Sequence, residues 1–137
     1  MNRQKIWIAM VGLLAVGLFS QATFAQSLVW DASGERNGVI MESTYTELYF
    51  GDQCDQVIEV RVWNAPPNIR LKIFVRDWAI GVLQTNEDGY GRFFKGRRNV
   101  PLDGDDRPDA PRVEDGDIIK VGQLRTNKFI TGEFQPR

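Results

Sequence analysis

Polar and apolar positions alternate with a period of two through the middle of the chain. From Gln56 to Trp63, Ile58, Val60 and Val62 fall on one side, and Val57, Glu59, Arg61 and Trp63 on the other. From Arg70 to Arg76, Leu71, Ile73 and Val75 alternate with Arg70, Lys72, Phe74 and Arg76. Alternation this regular, and rich in β-branched residues, predicts half-buried strands. Asn64-Ala65-Pro66-Pro67-Asn68 joins them, and its prolines cannot donate to a ladder. Trp78–Gln84 reads as a third strand, with Trp78, Ile80 and Val82 on one side and Ala79, Gly81 and Leu83 on the other. Asn86-Glu87-Asp88-Gly89 then predicts a hairpin turn, with Tyr90–Lys95 as the returning strand.

The flanks add shorter pieces. Ser27–Asp31 reads as an edge strand or lead-in, Ala32–Gly38 as a turn, and Val39-Ile40-Met41 as the start of a further strand. Ser43–Phe50 alternates again, with Tyr45, Glu47 and Tyr49 on one face. Gly96–Asp117 carries prolines, glycines and no apolar periodicity, so it reads as a long loop. Ile118–Val121 and Phe129–Phe134 form a last pair of strands around Arg125–Lys128. No helical periodicity is sustained after residue 25. Seven or eight short strands separated by turn signals predict an all-β fold: one antiparallel β-sandwich, with an open barrel as the second choice. The expected core is Ile58, Val60, Val62, Leu71, Ile73, Val75, Ile80, Val82, Ile119, Val121, Ile130 and Phe134. Arg61, Arg70, Lys72 and Arg76 are expected in solvent.

The first residues change the picture of the compartment. Arg3 and Lys5 precede an uncharged apolar run, Ile6–Phe19, and Thr23 and Ala25 are the small residues of a cleavage site. That is the pattern of a signal peptide over residues 1–25. The apolar run is too short for a spanning helix of about 20 residues. The expectation is an exported protein, periplasmic or extracellular, with no membrane span after cleavage and a single domain over 26–137. Cleavage would leave 112 of the 137 residues, and losing Arg3 and Lys5 takes the net charge from −1 to −3. An acidic balance does not predict a nucleic-acid partner. The single cysteine, Cys54, cannot make an internal disulfide. It reads as a packed thiol, against a disulfide to a second chain or a reactive thiol, because acidic neighbours disfavour the thiolate.

The order of cues comprises Val60–Pro67, Gly81-Val82, Asp88–Gly91, Pro108–Pro111, Gly116-Asp117 and Gly132-Glu133-Phe134. It resembles that of a group of small exported bacterial β-sandwich proteins of uncharacterised function. The resemblance covers roughly residues 57–134. Every cue in it is a turn or packing feature, so it implies the fold and no activity.

Few groups are left to carry chemistry. The chain has no histidine, which removes Ser-His-Asp and Cys-His machinery and the usual zinc ligand sets. Glu47 and Glu59 could form a glycosidase pair, but both occupy positions expected to be exposed. Asp103, Asp105, Asp106 and Asp109 lead an acidic stretch that continues through Glu114, Asp115 and Asp117. Calcium is the one metal such a loop would take, but Arg107 and Pro108 interrupt the EF-hand pattern. A solvated, partly disordered acidic loop is the preferred reading, and no cofactor is expected. Lys95, Arg97 and Arg98 form a basic cluster expected to pair with that loop. Trp63, Phe74 and Trp78 are the candidate ligand-binding residues, as an aromatic platform for a sugar ring. The functional expectation is a non-catalytic binding or scaffold module of the cell envelope, whose partner is an envelope protein or polysaccharide. A carbohydrate-binding module is the alternative, and a small exported hydrolase comes third.

Overall fold

In a computed structural model of the chain, residues 6–10 and 23–137 are described, with side chains from Gln26 onward. The strands are β1 (Ile6–Met10), β2 (Thr23–Arg36), β3 (Val39–Phe50), β4 (Gln53–Trp63), β5 (Arg70–Val75), β6 (Trp78–Gln84), β7 (Gly91–Pro101), β8 (Ile118–Gln123), β9 (Lys128–Glu133) and β10 (Gln135–Pro136). They form two antiparallel sheets. One runs β1-β2-β3-β4-β7, with β10 also on β2, and the other runs β6-β5-β8-β9. The chain is therefore a two-sheet sandwich. Most of the signal pattern lies outside the described residues. Its described parts are Ile6–Met10 and Thr23–Ala25, and Ile6–Met10 pairs through the backbone with Thr23–Ser27.

The core lies between the sheets. Val60, Val62, Ile73, Ile119 and Phe134 are completely buried, and Leu71, Val75, Val121 and Ile130 nearly so. Trp30, Met41, Tyr45, Leu83 and Val113 complete the cluster. Arg61, Arg70, Lys72 and Arg76 are exposed, as the alternation predicts.

Four elements differ from the sequence reading. First, β2 is a 14-residue strand inside the larger sheet, not a short edge piece. It ends at a two-residue turn whose Asn37 and Gly38 both have positive φ (51° and 81°). That is the tight hairpin an Asn-Gly pair favours. Second, Asn86–Gly89 is a tight turn, with Gly89 N–H donating to Asn86 O at 3.1 Å, but it does not make a hairpin. β6 pairs with β5 and β7 with β4, so the turn carries the chain from one sheet to the other. Third, β7 runs on to Pro101 and takes in Gly96–Asn99, which were expected in the loop. A bulge between Cys54 and Gln56 lets it stay on β4, and Asn99 N–H donates to Asp55 there.

Fourth, β6 faces the other way. Ile73 pairs with Gly81 and Phe74 with Ala79, so Ile80 is the extra residue of a bulge. Beyond it, Leu83 is buried and Val82 is 39% exposed, while Ile80 is only partly buried. Gly81 points inward because the Phe93 ring lies where its Cβ would be, at 2.2 Å. A glycine and a bulge erase the alternation that would have revealed the facing.

The two long sides of the sandwich differ. On one side β2 and β9 touch backbone to backbone: a Cβ on Gly34 would come within 2.1 Å of Thr131 O, and one on Gly132 within 2.8 Å of Ser33 O. On the other side β6 and β7 are the outer strands of their sheets. They meet at one end, where Phe93 covers Gly81 and Leu83 covers Gly91.

Candidate functional site

β3 presents Met41, Ser43, Tyr45 and Glu47 to the interior. Glu47 is fully buried, which corrects its expected exposure. Its partner comes from far along the chain. Arg107 donates from Nε to Glu47 Oε1 (3.0 Å) and from Nη2 to Oε2 (2.9 Å). The hydroxyls of Tyr45 and Tyr49 donate to the same carboxylate, at 2.7 and 2.5 Å. Four donors converge on one buried acid, the arrangement a buried charge requires. Burial and the Glu47 charge push both phenols well above their ordinary range, so they remain donors. Burial alone would favour loss of the Arg107 proton. The hydrogen bonds and charge of Glu47, with Glu114 behind it, outweigh that and hold the guanidinium charged. Arg107 also lies 5.2 Å from the Trp30 ring centre.

Arg107 belongs to the acidic stretch, which is an ordered plug over the end of the sandwich, not a partly disordered loop. Asp103 Oδ1 accepts the Asp105 and Arg107 N–H groups, and Asp103 Oδ2 pairs with Arg112 at 2.6 Å. These contacts hold the Asp103 carboxyl down at about 2, with Arg112 the largest cause. Arg107 and Arg112 both reach Glu114, at 3.0 and 2.9 Å. Trp30 donates to Asp115 at 2.7 Å, and Asp117 pairs with Arg76 at 3.4 Å. Asp105, Asp106 and Asp109 are exposed. Among the described residues no three potential ligand side chains gather as a metal site would require. Arg107, which interrupts the calcium pattern, is one of the residues that fasten the loop. The expected pairing of this loop with Lys95, Arg97 and Arg98 is replaced by Arg107, Arg112 and Arg76.

Glu59 faces away from Glu47, outside the sheet, where Arg61 and Arg92 pair with it. The two carboxylates cannot flank one bond. Cys54 is buried, and burial, then Glu47 and Asp55, push its thiol up to about 12.

The three candidate aromatics do not form one platform. Trp63 is half-buried against Tyr90, with ring centres 5.8 Å apart, and Phe74 packs edge-on to Phe129 at 6.0 Å. Trp78 is half exposed, with Arg76 4.6 Å from its ring centre. Only Trp78 lines a cleft. Beyond the Gly81–Phe93 contact, space opens between β6 and β7, walled by Val57, Ile58, Val75, Trp78 and Ile80 and roofed by Pro111–Val113. It encloses about 80 Å³. Lys95 and Arg97 stand at it, with Lys95 Nζ 3.4 Å from Ile80 O.

Gln56 also lines the cleft, and sequence reading missed it. Its Nε2 donates to Tyr45 Oη at 2.9 Å and to Pro111 O at 3.0 Å. The Tyr45 hydroxyl already donates to Glu47 and Pro111 O only accepts, so the amide cannot be reversed. Gln56 is 4% exposed, and among the described residues its Oε1, itself buried, has no protein partner. No single-sequence signal would reveal it, because a glutamine just past a bulge in β4 carries no local cue and both its partners are distant. No protein-family model matches the chain, and no curated protein or solved structure shows significant similarity to it.

Proposed function

We propose that the protein is an exported, non-catalytic binding module of the cell envelope, and that its ligand occupies the cleft between β6 and β7. The apolar cleft with two cations beside it carries this reading. Val57, Ile58, Val75 and Trp78 ask for an apolar body, and Lys95 and Arg97 for an anionic end. The ligand class is a small anionic amphiphile. The chemistry of the neighbouring groups supports binding over turnover. Glu47 is committed to four donors, and Cys54 is held as a thiol.

The probe that matches is 1-anilinonaphthalene-8-sulfonate, which has an apolar body and a sulfonate. Saturable binding should weaken in Trp78→Ala and in Lys95→Ser. Unchanged affinity in both variants would remove the cleft from consideration. Product formation from chromogenic glycosides or esters would refute the non-catalytic reading. The half-exposed Trp78 keeps a second reading in view, a saccharide stacked on its ring. Glycan binding lost in Trp78→Ala, with the anilinonaphthalene probe unbound, would favour it.

A further inference from the structure

The outer face of the four-stranded sheet is basic on a chain of net charge −1. β5 sends Arg70 and Lys72 outward beside Phe74. Register places Lys120 across from Phe74, and Gly122 across from Lys72. Gly122 also faces Phe129, whose ring lies 2.8 Å from where a glycine Cβ would be. Beside that ring lies a shallow depression lined by Arg70, Lys72, Gly122, Val82, Leu124 and Arg125. Leu124 and Val82 are exposed apolar floor, at 55% and 39%.

Among the described residues, the ion pair on this face is Lys120 with Asp77, at 4.0 Å, and Asp77 is almost wholly in solvent. The acidic side chains of residues 103–117 point their pairing elsewhere, to Arg76, Arg107 and Arg112. Like charges on neighbouring positions of one sheet face repel and lower stability. A row of them around an apolar floor stores attraction for an opposite charge.

We propose that this face docks an anionic polysaccharide, laid across β5 and β8 with its acidic groups on Arg70, Lys72, Lys120 and Arg125. The apolar faces of its sugar rings rest on Val82 and Leu124. Of the polyanions a basic face could take, an extended polysaccharide fits the flat sheet: the floor is shallow, and the aromatic rings lie packed on each other rather than projecting as a lipid bilayer would need. This surface is separate from the cleft, so either site can fail without the other.

The test uses the full chain with polygalacturonate as probe, and neutral dextran and phosphatidylglycerol vesicles as contrasts. Polygalacturonate should bind and weaken steadily with added salt, as ion-pair binding to a polyanion does. Arg70→Ser/Lys72→Ser/Arg125→Ser should lose about tenfold or more in affinity, with each cation contributing a few-fold. Arg97→Ser/Arg98→Ser, on β7, should bind as the parent does. Thermal melts of the triple variant at or above the parent's midpoint keep a folding defect out of the comparison. If the triple variant has a lower midpoint, Lys72→Glu alone replaces it and must show the same loss. Unchanged polygalacturonate affinity in the triple variant would overturn the proposal. Equal binding to neutral dextran, or binding to vesicles but not to polygalacturonate, would also overturn it.

Discussion

Replacing Arg107 by methionine is the most direct test of how the acidic loop is held. The substitution keeps an unbranched apolar stem but removes the guanidinium, and so strands Glu47, which is fully buried, with the two tyrosine hydroxyls alone. Breaking a buried ion pair by removing one partner costs about 3–5 kcal/mol, because the other charge remains desolvated. Arg107 itself keeps 21% of its side chain in water, so solvent can follow where it is cut away. The two tyrosines also stay bound to the carboxylate. Both facts place the cost near the lower end, about 3 kcal/mol. For a domain of this size that corresponds to a fall of roughly 12 °C in Tm. Urea unfolding monitored by tryptophan fluorescence reads it, since Trp30 lies against Arg107. The double variant Glu47→Gln/Arg107→Met should recover most of the loss, because no charge remains buried. An Arg107→Met cost below about 1 kcal/mol would show that water already reaches Glu47. A double variant no better than the single would refute the stranded-charge argument.

Other outcomes follow from the same geometry. Leu83→Ala should cost about 2–5 kcal/mol and Val82→Ala less than about 0.5 kcal/mol in urea melts, the reverse of what the β6 alternation alone predicts. Cys54 in the native protein should resist iodoacetamide at pH 8 and react only on unfolding, since its thiol is pushed up to about 12; rapid native labelling, read by mass, would contradict its burial. Asp103 titrates at about 2 in the fold against an ordinary 3.8. Its depressed value means that its stabilisation is full above the ordinary value and is lost as pH falls from there through about 2. Asp103→Asn should therefore flatten the acid limb of a stability–pH curve between those values.

The strands β4 and β5 were legible because each has one wet face and one dry face along its whole length. Val60, Ile73 and Arg61 sit where alternation put them. β6 was not, because a bulge at Ile80 shifts the phase and Gly81 has no side chain with which to vote. The fate of the turn at Asn86–Gly89 was equally hidden. Its local chemistry is that of a tight turn, and which sheet β7 joins is decided by pairing with β4, whose nearest paired residue, Val62 (with Gly91), lies well upstream of the turn. Glu47 was misread because a charged residue on a strand is usually outward. What turns it inward is Arg107, 60 positions away. Trp63, Phe74 and Trp78 were grouped by type, yet their neighbours are Tyr90, Phe129 and Arg76 respectively.

The close approach of Gly34 and Gly132 gives the sandwich a spine. With no Cβ at either position, β2 and β9 meet main chain to main chain there, and β10 clasps β2 beside them. The opposite side is zipped only near Gly81 and Gly91, so it behaves like the fore-edge of a book whose leaves are pinned at one corner. Fluctuations that part the sheets pivot on the spine and show most at the unpinned corner, where Trp78 and Arg97 stand. Amide exchange should therefore run as a gradient, fastest at Trp78–Ile80 and slowest at Val29–Asp31 and Ile130–Gly132. The ligand proposed for the cleft would enter at that corner through local opening, with the spine and its core left closed.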